Sequence, residues 1–106
     1  MLITTQDQFV DFEITQTLGL VRGNTIRARH VGKDIMAGLR NLIGGEITEY
    51  TKMIAESREQ AIDRMVMNAE SMGADAIVCM RFTTSSISEG SAELLAYGTA
   101  VKITKR

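Results

Sequence analysis

The stretch from Glu46 to Met72, EITEYTKMIAESREQAIDRMVMNAESM, decides the fold. Ile47, Tyr50, Ile54, Ala61, Met65, Ala69 and Met72 recur in it at intervals of three, four and seven. That spacing winds one apolar stripe along an α-helix. Glu46 and Glu49 lie near its start, where the helix dipole favours negative charge. Gly73 follows at the left-handed position that closes many helices. Arg58 fills the gap between Ile54 and Ala61, and at about 100° per residue it falls near the middle of the stripe. A guanidinium there needs a partner, because burying it bare is costly. Asp34, Glu46, Glu93 or a carboxylate of a neighbouring subunit could supply one. Arg58 is then either an ion-pairing residue that fixes subunit register or an arginine that binds an anion.

Upstream, Val31, Ile35, Leu39, Leu42 and Ile43 mark a shorter helix, stopped by Gly44-Gly45. Gly38 weakens it by about 1 kcal/mol relative to alanine. Before it, Phe12, Ile14, Leu18 and Leu20 share one parity, which is the period of a half-buried strand. Gln16 interrupts that face, and Ile26 and Ala28 resume it. Arg22-Gly23-Asn24 reads as a bend, with Gly23 or Asn24 at positive φ. Residues 12 to 29 are thus one long bent strand or two short ones.

Downstream, Ala76 to Thr84 reads as a strand with Ala76, Val78, Met80 and Phe82 on one face. Ser85 to Ser91 reads as a hairpin loop, and Ala92 to Ile103 as the last strand. The short connection makes these two strands antiparallel. Leu94, Ala96 and Ala100 lie on one side of the last strand; Leu95, Tyr97, Val101 and Ile103 lie on the other. A strand apolar on both faces is covered on both. One long helix covers only one face of a small sheet, so a second copy of the chain is expected to cover the rest.

The 106 residues make one α+β domain, 1–106. Twelve basic and thirteen acidic side chains nearly cancel, so there is no electrostatic footprint for nucleic acid. No apolar run approaches a membrane span, and the start, MLITTQDQF, has neither a basic leader nor an apolar core. A single cysteine cannot staple the fold from within. These features favour the cytoplasm. Seven methionines and few aromatics fill the core with adaptable side chains.

Little catalytic chemistry is visible, and no enzyme is expected. Cys79, between Val78 and Met80, reads as a small buried apolar residue. His30 sits at a strand-to-helix junction with no Cys or His at ligand spacing. Both are the candidates for a metal ligand, and a ring of subunits could gather copies of His30 around an axis. Gly44-Gly45-Glu46 has neither a Walker lysine nor a dinucleotide fingerprint.

Taken jointly, Gly19, Arg22-Gly23, Lys33-Asp34-Ile35, Ala37-Gly38-Leu39-Arg40, Gly44-Gly45-Glu46, Tyr50, Ala55 through Arg58 to Ala61, Gly73-Ala74-Asp75-Ala76, Arg81-Phe82 and Tyr97-Gly98-Thr99-Ala100-Val101 form a pattern. In this pattern the chain resembles the YbjQ-like proteins, a family labelled as a heavy-metal-binding domain. The resemblance implies a fold like the dodecin subunit: β-α-β-β, a curved antiparallel sheet on one long helix, with a short extra helix before it. It also implies a homopentameric ring and a divalent heavy metal as the group to look for. Its polar motif residues, Arg22, Asp34, Arg40, Glu46, Tyr50, Arg58 and Tyr97, are the ones expected to bind a ligand or hold the assembly. Two functions follow: a ring that binds a metal or small ligand, or a structural ring whose polar cluster only stabilises it.

Overall fold

The computed structural model describes residues 1–27, 48–88 and 91–106. Its elements are β1 (Leu2–Ile3), β2 (Phe12–Arg27), α1 (Thr48–Ser71), β3 (Ala76–Ser88) and β4 (Ser91–Lys105). The expected short helix at 31–43 lies outside the described residues, as do residues 28 and 29 of the first strand.

The sheet has the order β1-β3-β4-β2. The three long strands are antiparallel, as the sequence implies. The sheet is mixed, however, because β1 adds parallel to β3 through Leu2 and Ile3. Two residues carry no periodic signal, so β1 is not visible in the sequence. The expected loop at 85–91 is also shorter than it reads. Ser85, Ser86 and Ser88 pair with Glu93, Ala92 and Ser91, so both strands run on almost to the turn. The serine-rich composition imitates a loop, yet serine and threonine are tolerated where a strand faces water.

No turn interrupts β2 at Gly23. The strand runs straight through it, and the left-handed backbone lies at Gly19 (φ 135°) instead. Two irregularities, between Ile14 and Gln16 and between Thr17 and Gly19, carry an extra residue each. Each insertion flips the alternation beyond it. The two flips cancel, so the single parity read from Phe12 to Ile26 is broken only between them, at Leu18. Ile14 packs on the sheet face away from α1, Leu18 packs towards α1, and Leu20 and Ile26 are 64% and 58% exposed. Val21, Gly23 and Thr25 face the helix.

A third irregularity lies in β3 between Val78 and Arg81, where Cys79 takes φ 57°. Positive φ is uncommon for a side-chain-bearing residue. It turns Met80 onto the same face as Ile77, not that of Ala76 and Val78 as simple alternation implies. One core, Val21, Ala61, Met65, Ala69, Ile77, Met80, Ala96 and Ala100, lies between sheet and helix. A second lies on the far face, where Phe9, Ile14, Cys79 and Ile103 pack around Ala76, Val78 and Val101.

Helix α1 rests chiefly on β2 and less on β4. Its inward line is Ser57, Ala61, Met65 and Ala69, four residues apart. Arg58 is exposed, so the sequence expectation that it lies on the inward stripe does not hold. Ser57 takes that position. Its hydroxyl donates to the Met53 carbonyl (2.9 Å), and its own carbonyl accepts from Thr25 Oγ1 (3.4 Å). The helix closes as the sequence indicates: Gly73 has φ 76°, its N–H donates to the Glu70 carbonyl, and the Ala74 N–H donates to the Ala69 carbonyl. Those two bonds form a Schellman cap.

Candidate functional site

Strand β2 is an edge strand, and edges need protection. Helix α1 supplies it. The Arg22 N–H donates to Asn68 Oδ1 (3.1 Å), and the Asn24 carbonyl accepts from Arg64 Nη1. With the backbone of β2 held from the helix side, the side chains of Leu20, Arg22, Asn24 and Ile26 project to the far face.

Cross-strand register builds that face row by row. Arg22 pairs with Tyr97, and Tyr97 pairs with Arg81, which puts these three side chains side by side on three neighbouring strands. The row above holds Asn24, Leu95 and Thr83; the next holds Ile26, Glu93 and Ser85. Below lie Leu20, Thr99 and Val78, at the border of the second core. Asn24 Nδ2 donates to Glu93 Oε2 (3.0 Å), so the carboxylate two rows from Tyr97 on this face already has a partner. Tyr97 is half-buried, and Arg22 and Arg81 are exposed. Arg81 is steadied by Nη1, which donates to the carbonyls of Thr5 (2.7 Å) and Met80 (2.8 Å). The bulge at Cys79 and the N-terminal segment create this arrangement: the Cys79 N–H donates to the Gln6 carbonyl and the Met80 N–H to the Thr4 carbonyl.

Of the residues singled out in the sequence, the structure brings Arg22 and Tyr97 together. Arg58 is not with them, because α1 packs on the opposite face of the sheet. His30, Asp34, Arg40 and Glu46 lie outside the described residues. Tyr50 is in α1, and its side chain is not among those described. Arg81 was not among the expected site residues. Its signal was its place in the Arg81-Phe82 motif, but simple alternation from Val78 would put it on the helix face. The bulge reverses that.

Cys79 is a free, half-buried thiol packed against the second core. Among the described residues, no three His, Cys, Asp or Glu side chains form a group that could hold a metal ion. No helix among them is long and apolar enough to cross a membrane.

Comparison with known proteins agrees with the motif pattern. A UPF0145 protein of Methanosarcina acetivorans is 61% identical over the full length of both chains. A UPF0145 protein of Photobacterium profundum is 54% identical over 97% of this chain and 100% of its own. A crystal structure of a DUF74-family protein of unknown function from Pediococcus pentosaceus superposes with a TM-score of 0.64. At 18% identity over 98% of each chain, it shows likeness of fold. The YbjQ family model, described as "Putative heavy-metal-binding", matches residues 1–104. The chain belongs to this YbjQ-like family.

Proposed function

We propose that this chain is a cytoplasmic, non-catalytic binding protein that works as a homo-oligomeric ring. Its ligand is small and sits at a subunit boundary, on the sheet face away from α1. The supporting observation is the composition of that face: exposed Leu20, Arg22 and Ile26 beside the half-buried Tyr97 and Leu95. A sheet face carrying large apolar side chains is normally covered. The N-terminal segment covers only one end of it, through Phe9. A second copy of the chain would cover it, and a ring of five is the count that the resemblance implies.

The family description directs attention to a heavy metal. The donors among the described residues do not suit one. Cys79 lies among apolar side chains, and the polar row is cationic, so a divalent ion would meet Arg22 and Arg81 as like charges. The second reading, a ring without a ligand, draws on Leu20 and Ile26, which serve assembly whether or not anything binds.

Light scattering tests the ring: a mass five times the 11.7 kDa of the chain is expected, and a stable monomer at micromolar concentration overturns it. Elemental analysis of protein purified without an affinity tag tests the metal. Substoichiometric zinc, copper and nickel are expected, and one such ion per chain overturns the small-ligand reading.

A further inference from the structure

We infer that the Arg22–Tyr97–Arg81 row is an oxyanion site, and that its ligand is a phosphate group, free or carried on a small organic molecule. The inference rests on the reading of this face as a ligand site and names the class of ligand.

Three observations carry it. The first is placement. Arg22, Tyr97 and Arg81 are directly opposite one another on β2, β4 and β3. Neighbouring strands are about 4.8 Å apart, so the two arginine Cα atoms are separated by about 10 Å with the tyrosine between them. Long side chains rising from such positions can converge on one small group above the ring.

The second is charge. No carboxylate lies in the row, and Glu93, two rows away, accepts from Asn24. Arg22 has no side-chain partner among the described residues, and Arg81 commits only Nη1, to carbonyl oxygens. Two guanidiniums flanking a phenol without a counter-charge repel one another, and a shared anion relieves that repulsion. The remaining N–H groups are arranged as forks, the geometry that suits phosphate and carboxylate oxygens.

The third is denticity. A single carboxylate has two oxygens, which one guanidinium fork occupies. A phosphate dianion offers three or four oxygens, each able to accept more than one bond, so both arginines and the Tyr97 hydroxyl can donate to it at once. Leu20 and Leu95, in the rows on either side, lower the local dielectric, which strengthens charge-assisted bonds.

The experiment is isothermal titration of the full chain with inorganic phosphate, in a sulfate-free buffer with ionic strength held by potassium chloride. Saturable binding at one phosphate per chain is expected. Arg22→Gln is the main variant, because the Arg22 side chain makes no bond to the described residues and its backbone N–H donates to Asn68. It is expected to weaken phosphate by about tenfold or more while the mass by light scattering stays unchanged. Arg22→Lys should recover part of the loss, and Tyr97→Phe should cost less than Arg22→Gln. No heat with millimolar phosphate, or equal affinity in Arg22→Gln, overturns the site. So does an Arg22→Gln chain that dissociates while the wild type ignores phosphate, since the row would then pair a neighbour's carboxylates. Mass and titration are read separately. A ring that ignores phosphate ends the oxyanion assignment alone, and a monomer that binds phosphate ends the ring alone.

Discussion

Gly23 sets how close α1 comes to the sheet. A Cβ built there would lie 2.2 Å from the Ala61 carbonyl oxygen and 2.3 Å from the Met65 nitrogen. Both are helix backbone, so neither can move aside without the helix. Gly23→Ala should therefore destabilise the fold by about 2 kcal/mol or more, read as a lower urea midpoint. Sequence reading marked Gly23 as special but for the wrong reason, as a turn. A glycine needed for close approach and a glycine needed for positive φ look alike until the packing is known. Arg58 shows the converse error. Polar Ser57 does not count towards an apolar stripe, so the stripe reads as passing through Arg58. The serine is buried because it returns its hydroxyl to the helix backbone. Since Arg58 is exposed and has no partner among the described residues, Arg58→Met should change the chain's own stability by no more than about 0.5 kcal/mol. Urea unfolding checks that, and a larger loss would mean a partner outside the described residues, in this chain or in another subunit.

At the scale of elements, α1 both covers the first core and guards the free edge of β2. Asn68 and Arg64 carry the second task, by accepting from Arg22 and donating to Asn24. Asn68→Ala leaves the Arg22 N–H without its acceptor and should cost about 1 kcal/mol. Amide hydrogen exchange at Arg22 should quicken more than exchange in β4. Helix type, helix end and the antiparallel β3–β4 pair were legible because they depend on neighbours within a few residues. The inward turn of Leu18 in β2 and the faces of β3 beyond Cys79 were not. Bulges set them, and nothing in the alternation of side chains announces an inserted residue.

The molecule as a whole is long, 55 × 26 × 17 Å, with a radius of gyration of 17.3 Å. Strands of 15 and 16 residues explain the length, and α1 cannot cover a sheet that extends beyond it. Leu20 and Ile26 stand on the other face of the sheet, away from α1, which the helix does not reach. The double variant Leu20→Ser, Ile26→Ser should leave the circular dichroism of the chain unchanged and lower its mass in light scattering. An unchanged mass would show that this face is not the subunit contact.

The residue pattern alone was enough for the long helix, its glycine cap, the antiparallel strands and the family. Each is carried by local spacing or by motifs that survive without knowledge of distant contacts. Which side chains share a surface was settled by packing across strands far apart in sequence. Arg22 and Arg81 are 59 positions apart, and they stand in one row only because both pair with Tyr97 and a bulge at Cys79 turns β3. Register is a property of the assembled sheet, and one inserted residue is enough to exchange its two faces.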